Sequence, residues 1–298
     1  LKSGIDSQNF DPAVKHSENF FYSVNGKWLA ETQIPSDKAS FGAFHKLYDD
    51  SQLALRTIIE KAAAKTDKAP GSDEQKLGDF YQSYMNEAAI EALGIKPLAA
   101  DLAKISALKD TTELTSVLAQ LQQDGISTPL SWYVNNDAKN STQYAVYVGQ
   151  SGLGLPDRDY YFKDDEKSVA IRAAYLSYIK DMLTMAGVAD AEKAAERVMA
   201  LETKIAEHHW TRVENRDADK TYNKLSKADL ATTLGAFPWQ QYATEMKLDG
   251  VNEFIVEQPS YFKAFGELFA ATDLQSWKDY LAIKVVSSFS GKLSKNFV

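Results

Sequence analysis

Residues 44–62 read FHKLYDDSQLALRTIIEKA, and this stretch decides the fold class. Its apolar side chains recur at steps of three and four, which places Leu47, Leu55 and Ile58 on one face of a helix. The same period returns in five later segments, near residues 72–84, 110–125, 165–187, 194–208 and 274–293. Only 15 glycines and 8 prolines interrupt the 298 residues, fewer than the usual ~7% and ~5%. The sequence therefore predicts a mainly α-helical protein.

The ends of several helices are marked by capping residues. Ser72 stands three residues before Gln75, and Asp110 stands three residues before Glu113. Both pairs have the spacing of a capping box, in which each side chain bonds to a free amide of the first helical turn. Gly125 follows the second of these helices and favours a left-handed stop.

One segment changes period. Between residues 129 and 149, apolar and aromatic residues alternate with their neighbours in two short runs, around Trp132 and around Val146. Period two with β-branched and aromatic residues is typical of strands. We therefore expect one small β-hairpin at about 129–149, joined through the polar residues 135–142, and a further brief strand at 254–256.

The first 43 residues differ from the rest. Phe20, Phe21 and Trp28 crowd together, while Asn25-Gly26 and Pro35 favour interruption of any long helix. We expect residues 1–43 to form an extended or short-helical arm whose aromatic side chains need another surface to cover them. Residues 44–298 would form a helical domain that is incomplete at its C-terminal end, because the last apolar stripe runs towards Val298 without a stop signal.

Composition excludes several classes of protein. There is no cysteine, which excludes disulfide scaffolds, thiolate zinc sites and thiol nucleophiles. The 33 basic and 41 acidic residues give a net charge of −8, so nucleic acid is not an expected partner. No apolar run reaches the ~18 residues of a transmembrane segment. No signal peptide is visible at the start, so we expect either a cytosolic protein or one whose export signal has been removed.

The histidines offer no zinc-binding pair. His16, His45, His208 and His209 are the four histidines, none is followed by glutamate, and no two have i, i+4 spacing. Adjacent His208 and His209 point about 100° apart on a helix. We interpret them as residues of a helix C-terminus, where the helix dipole favours the imidazolium form.

Other short motifs are incomplete. Gly152 and Gly154 follow a strand, but acidic Asp157 and Asp159 stand where a dinucleotide would bring its phosphates. Arg158 between these two aspartates suggests either an acid/base cluster or, as we prefer, an ion pair that fixes a loop.

The segment 214–217 has a similar pattern and receives the same interpretation. Arg216 lies between Glu214 and Asp217. No Gly-x-Ser-x-Gly elbow marks a serine nucleophile. The residues alone thus contain no complete catalytic constellation.

Four segments together point to a family. They are Phe20–Leu29, Leu153–Tyr161, Asn215–Leu225 and, near the end, 273–288. In this order they resemble the N-terminal portion of the neprilysin-type zinc metallopeptidases, which include neprilysin, endothelin-converting enzyme and the bacterial oligopeptidase O group. The similarity runs from about residue 6 to 298. The residues that carry the motifs are Asn25, Gly26, Trp28, Pro156, Asp157, Arg158, Asp159, Tyr160, Arg216, Asp217, Tyr222 and Asn223.

The resemblance implies a two-lobed, mainly helical enzyme. One lobe of such enzymes binds zinc through a His-Glu-x-x-His helix and a downstream glutamate, and a zinc-bound water attacks the peptide bond. The other lobe is a helical cap that restricts access to oligopeptides. The chain resembles most of the cap lobe together with the arm that packs on the catalytic lobe, which would be its partner. The resemblance therefore implies that the catalytic and metal-binding residues lie outside these 298 residues.

One departure from the family concerns substrate binding. Mammalian members have an arginine before the aromatic-Gly-x-Phe segment that grips a substrate carboxylate, and an aspartate after it. Here these positions are Ser40 and His45, on either side of Phe41. By resemblance, Ser40, Phe41 and His45 are the candidate substrate-binding residues. Serine cannot form the charged fork of an arginine, so we expect endopeptidase activity without a strong preference for free C-termini.

The absence of cysteine also separates the chain from the disulfide-rich eukaryotic members. It favours a bacterial homologue, and these resemble periplasmic or otherwise extracytoplasmic proteins that are often lipid-anchored. The competing hypothesis is a stand-alone helical peptide-binding or interaction module without catalytic activity. A reading frame that continues past Val298 into a His-Glu-x-x-His motif would favour the enzyme, and a stop codon would favour the module.

Overall fold

A computed structural model describes residues 4–298, which divide into two compact units. The first unit ends at Asn86 and the second runs from Glu87 to Val298. The division at residue 86 differs from the arm boundary expected after residue 43. The helices of the first unit are α1 (Phe20–Glu31), α2 (Ala43–Ala64) and α3 (Asp73–Tyr84).

The second unit contains ten α-helices and four strands. The helices are α4 (Glu87–Leu93), α5 (Ala99–Ser106), α6 (Thr111–Gln123), α7 (Asp159–Phe162), α8 (Glu166–Met185), α9 (Ala191–His208), α10 (Lys227–Leu234), α11 (Trp239–Glu245), α12 (Pro259–Ala271) and α13 (Leu274–Phe289). The strands are β1 (Leu130–Asp137), β2 (Asn140–Gln150), β3 (Asn223–Ser226) and β4 (Glu253–Val256). The prediction of a mainly helical fold with a small β-hairpin is confirmed.

Helix α1 passes through the residues expected to interrupt it. Asn19 caps its start by accepting a hydrogen bond from the Tyr22 amide at 3.1 Å, and the Asn25 side chain bonds back to the Phe21 carbonyl within the helix. Gly26 costs helix stability but lies against Asp11, where a Cβ would come within 2.7 Å of the Asp11 Cβ. The interruption predicted at Asn25-Gly26 was therefore wrong, and of the two expected forms of the arm this stretch takes the short-helical one, as the 12-residue helix α1.

The first unit has almost no apolar core of its own. Among residues 4–86, Ala62 is the buried apolar side chain. Phe44 is 87% exposed and Phe80 is 75% exposed. Other large apolar side chains on α1–α3 are exposed as well, namely Phe20, Phe21, Tyr22, Leu29, Leu47, Tyr48, Leu53, Leu55, Ile58, Leu77 and Tyr84.

The predicted caps are present. The Ser72 hydroxyl accepts a hydrogen bond from the Gln75 amide at 3.2 Å, and the Asp110 carboxylate accepts one from the Glu113 amide at 2.9 Å. Gly125 has a φ of 77° after α6, the left-handed stop for which glycine is suited.

The hairpin belongs to a four-stranded sheet with the order β1-β2-β4-β3. Strand β2 pairs antiparallel with β1 and parallel with β4. The strands extend through most of the residues expected to form the connecting loop, because the buried Asp137 carboxylate fixes a tight turn. It accepts hydrogen bonds from the Lys139 amide and the Tyr222 hydroxyl and pairs with Lys224 at 3.2 Å.

Helix α13 is the central element of the second unit. Ten of its sixteen residues are buried, and it packs against α5, α6, α8 and α9. An aromatic cluster fills the neighbouring space, with Trp277 of α13 against Phe265 and Phe269 of α12. No helix formed by residues 4–298 has the length and apolarity that a membrane crossing requires.

Candidate functional site

A cavity of about 540 Å³ opens in the first unit, and we name it the N-terminal cavity. Its walls combine apolar side chains with a few polar groups. They are Asp6, Asn9, Phe21, Asn25, Trp28, Leu29, Phe41, Gly42, Ala43 and Lys46. One large apolar cavity with a few polar groups is the usual form of a ligand site.

This cavity contains one of the three candidate substrate-binding residues. The Phe41 ring lies in its wall, with the Lys38 ammonium 5.2 Å from its centroid. The His45 ring stacks on it with the centroids 5.9 Å apart. Asp49 holds the Lys38 ammonium at 2.7 Å. His45 therefore supports Phe41 from beside the cavity, and Ser40 is exposed next to it. Their role in substrate binding stays a prediction.

The motif at 153–161 is fixed by a buried carboxylate. Glu202 of α9 accepts hydrogen bonds from the Tyr161 hydroxyl at 2.7 Å and from the Gly154 amide at 3.2 Å. It also accepts one from the Tyr175 hydroxyl of α8 and pairs with the Lys284 ammonium of α13 at 2.7 Å. Burial, and then the charge of Glu202, raise the pKa of Tyr161, so its hydroxyl stays protonated and donates.

Glu202 was not predicted to act as an anchor, although the sequence contains a signal. Glu202 lies four residues after Val198 and three before Ile205, so it shares the face of the apolar stripe. A charged residue on a buried face needs a partner. The partner, Lys284, lies 82 residues later and carries no comparable local signal.

Around Arg158, the shortest ion pair is made by a second arginine, Arg212. Asp157 pairs with Arg212 at 2.7 Å, and its second oxygen accepts a hydrogen bond from the Asp159 amide. Arg158 reaches Asp159 only at 4.0 Å. The expected ion pair of Arg158 is thus present but loose, and the shorter pair that fixes this loop joins Asp157 to Arg212.

The 214–217 segment is fixed by backbone amides. Glu214 accepts a hydrogen bond from the Thr211 amide, and Asp217 accepts hydrogen bonds from the Asp219 and Lys220 amides at 3.1 Å. Arg216 is exposed. The carboxylates thus close their own turns, which corrects the ion pair expected around Arg216.

The last motif residues join the loop to the sheet. The Tyr222 hydroxyl donates to Asp137 at 2.7 Å, and the Asn223 amide donates to the Val256 carbonyl of β4 at 3.0 Å. The hydrogen bond from Tyr222 is the main cause that lowers the pKa of Asp137 to about 2. Asp137 therefore stays ionised in its buried turn.

His208 and His209 differ sharply. His208 is exposed at the end of α9, whereas His209 is packed edge-on against the Tyr261 ring, with the centroids 4.9 Å apart. Burial lowers the pKa of His209 to about 4. The expectation of an imidazolium at this helix end is therefore wrong for His209, which is neutral at pH 7 and donates from Nε2 to the Ser151 carbonyl at 3.2 Å.

Within residues 4–298, no group of three or more histidine, aspartate and glutamate side chains is arranged to hold a metal ion.

Comparison with known proteins assigns the chain to a family. The N-terminal model of peptidase family M13 matches residues 16–298. The chain belongs to peptidase family M13. This is a family of zinc metallopeptidases, and the predicted resemblance to the neprilysin type is confirmed.

The M13 fold is shared along the whole chain. The crystal structure of the zinc metalloprotease Zmp1 of Mycobacterium tuberculosis, in complex with an inhibitor, is 37% identical in sequence and superimposes with a TM-score of 0.85. The match covers 100% of this chain and 46% of the Zmp1 chain. Human endothelin-converting enzyme 1 is 26% identical over 302 residues, 97% of this chain and 39% of the relative. PepO of Lactobacillus rhamnosis HN001 shares the fold at 20% identity and a TM-score of 0.74.

The chain thus spans less than half the length of these M13 relatives.

Proposed function

We propose that the chain is the N-terminal part of a zinc-dependent endopeptidase that hydrolyses oligopeptides. The observation that carries the proposal is the match to family M13 over residues 16–298, with Zmp1 as a relative over the whole chain. In this proposal the chain is the cap lobe, which encloses the substrate chamber and keeps folded proteins out.

The catalytic chemistry is assigned to residues outside this chain. Zinc in such a site polarises the peptide carbonyl and activates a water molecule. Residues 4–298 have no matching set of ligands, so these residues supply access and binding and no catalytic step is assigned to them.

The exposed apolar side chains support a partner lobe. We propose that the arm, residues 1–43, packs on the catalytic lobe, and that α2 and α3 contribute to the same contact through Phe44 and Phe80. Burying one such side chain stabilises by about 1.5–3 kcal/mol. Among residues 4–86, only Ala62 is a buried apolar side chain. The first unit therefore lacks this stabilisation within the chain itself.

We also propose that the N-terminal cavity contacts the substrate. Its aromatic wall, formed by Trp28 and Phe41, suits an apolar peptide side chain. Ser40 beside it provides no charged fork for a C-terminal carboxylate. Endopeptidase cleavage of oligopeptides fits this surface. We propose that this cleavage takes place in the bacterial periplasm or another extracytoplasmic site.

The test compares two proteins. One is the product of the whole reading frame and the other is the 298-residue chain. Of the two, we expect only the product of the whole reading frame to bind about one zinc per molecule and to hydrolyse a quenched fluorogenic oligopeptide. It should not hydrolyse folded proteins. A stop codon at Val298 would instead support the stand-alone module.

The histidines provide the control. If the 298-residue chain retains one equivalent of zinc after dialysis, and the His208→Ala and His209→Ala double variant loses it, the assignment of zinc to the other lobe is wrong. If the whole product binds zinc but cleaves no peptide, the proposed activity is wrong.

A further inference from the structure

A second cavity, of about 290 Å³, lies in the second unit where two of the sequence motifs meet. One wall comes from the 153–161 loop with Asp157 and Arg158, and the other from the chain after α9 with His209, Arg212 and Asn215. We name it the loop cavity. Its volume is at the lower limit for small-ligand sites, roughly 300 Å³, which suits one side chain or chain end rather than a whole peptide.

The walls of the loop cavity are held in place by paired side-chain amides. Gln150 accepts a hydrogen bond from the Trp210 amide at 2.7 Å and donates to the Trp210 carbonyl at 3.0 Å. Gln258 accepts from the Gln150 amide and donates to Asn215 at 3.0 Å. These bonds join β2, the segment after α9 and the start of α12. The cavity is therefore preorganised, which lowers the entropy cost of binding.

Two arginines line the loop cavity, in a chain with net charge −8. Arg212 is neutralised by Asp157 at 2.7 Å. Arg158 is positioned by its Nε, which donates to the Ala206 carbonyl at 3.4 Å, and by the Phe162 ring 5.4 Å away. Its Nη1 lies 4.0 Å from the Asp159 carboxylate, beyond hydrogen-bonding distance.

No hydrogen bond within the described residues occupies the terminal nitrogens of Arg158, so a ligand can displace its loose ion pair with Asp159. The Arg158 side chain is thus held in position, with its charge, before a ligand binds. His209 adds no charge to the cavity at neutral pH because its pKa is about 4. The charged groups that line the cavity are then Asp157, Arg158 and Arg212, and the Asp159 carboxylate, which is not part of the lining, lies 4.0 Å from Arg158. A guanidinium with free terminal nitrogens binds a carboxylate through two parallel hydrogen bonds.

We propose that the loop cavity is a subsite for a peptide carboxylate, held by Arg158 with Arg212 as the second cation. The identity of the ligand as a peptide rests on the proposed function, whereas the binding of a carboxylate rests on the cavity itself. The carboxylate belongs either to an acidic side chain or to a free C-terminus. Neither source requires a residue from the N-terminal cavity.

The experiment titrates the protein with three small probes in the absence of zinc. They are N-acetyl-Gly-Glu-amide, the neutral N-acetyl-Gly-Gln-amide, and N-acetyl-Gly-Gly with a free C-terminus. Binding is followed through the Nε–H signals of ¹⁵N-labelled arginine and the indole signal of Trp210. We expect one or both acidic probes to shift the Arg158 signal saturably, with the comparison between them identifying the source, and the glutamine probe to bind on the order of tenfold more weakly.

Three variants separate the roles of the charges. Arg158→Gln should weaken the acidic probe on the order of tenfold. Asp157→Asn keeps an oxygen acceptor for the Asp159 amide while releasing Arg212, so it should tighten binding by up to about fivefold. Arg56→Gln on α2, whose side chain pairs with Glu60 outside this unit, is the control and should change nothing.

Opposite shifts for Arg158→Gln and Asp157→Asn would support the proposal even if one variant were less stable. The proposal would be overturned if the glutamine probe bound as tightly as the acidic probes, or if inorganic phosphate occupied the cavity as well as a carboxylate probe does. Unchanged affinity in both variants would overturn it as well. Because no hydrolysis or zinc is measured, failure here leaves the test of the peptidase activity independent.

Discussion

Replacing Glu202 by glutamine tests whether the buried anchor stabilises the second unit. The glutamine side chain keeps the shape of glutamate, and its oxygen can still accept from the hydroxyls of Tyr161 and Tyr175. It removes the counter-charge of Lys284, whose side chain is 8% exposed. An uncompensated buried charge costs about 3–5 kcal/mol.

The expected change is large enough for ordinary denaturation experiments. For a unit of about 200 residues, each kcal/mol shifts the melting temperature by roughly 2–4 °C, so Glu202→Gln should lower it by roughly 6–20 °C. Urea unfolding followed by tryptophan fluorescence gives the free energy of unfolding. Glu207→Gln, an exposed position on the same helix, is the matched control and should stay within about 0.5 kcal/mol of the wild type.

A double-mutant cycle separates the pair from its surroundings. Lys284→Met leaves Glu202 with its hydroxyl and amide donors, and the Glu202→Gln, Lys284→Met double variant leaves no buried charge. We expect the double variant to be less destabilised than the sum of the single variants by about 2 kcal/mol. Additive effects, or a loss below about 1 kcal/mol for Glu202→Gln, would refute the role of Glu202 as the charged anchor.

Four further outcomes follow from the structure. The pKa of Asp137 is lowered to about 2, so its ionised form stabilises the fold above about pH 4 and this contribution is lost as the pH falls through 2. The difference in urea midpoint between wild type and Asp137→Asn should therefore shrink from pH 5 to pH 2. A constant difference would contradict this. Gly266→Ala would place a Cβ 1.8 Å from the Leu234 carbonyl oxygen, whereas Gly250→Ala meets nothing within 4 Å, so thermal unfolding should show a loss of about 1–3 kcal/mol for the first and almost none for the second. The 298-residue chain should associate through its exposed aromatic side chains, and light scattering should show more monomer for the Phe44→Ser, Phe80→Ser double variant; a wild type that is already monomeric would count against a docking role. In the proposed full-length enzyme, Ser40→Arg should raise kcat/KM for free-acid over amidated peptides by about tenfold at pH 8. A wild-type preference above tenfold would show that another cation already has this role.

Sequence periodicity was sufficient where the signal was local. The helices that begin after Ser72 and Asp110 were predicted with their caps, because a cap is formed within four residues. Helix α12 was missed although Tyr261, Phe262, Phe265 and Phe269 recur at steps of three and four and form its one buried face. Strand β3 was missed because its residues, Asn223–Ser226, include no β-branched or aromatic side chain, unlike those of β4.

The candidate sites needed pairings that the sequence does not encode locally. Asp157 pairs with Arg212 rather than with its neighbour Arg158, a partner that only the fold can bring close. The Glu202 and Lys284 pair spans 82 residues. The glycine in α1 was misjudged because its backbone approaches Asp11, a contact between segments that propensity does not include.

The position of α13 at the end of the second unit has a consequence for synthesis in the cell. Helices α5, α6, α8 and α9 all pack on this last helix, so the parts of their apolar faces that contact it have no cover until residue 289 has left the ribosome. At about 5–20 residues per second, the stretch from residue 87 to residue 289 takes roughly 10–40 s to translate. The nascent chain therefore exposes apolar surface for that time. A holding chaperone or an export factor that binds unfolded chains has those seconds in which to bind it.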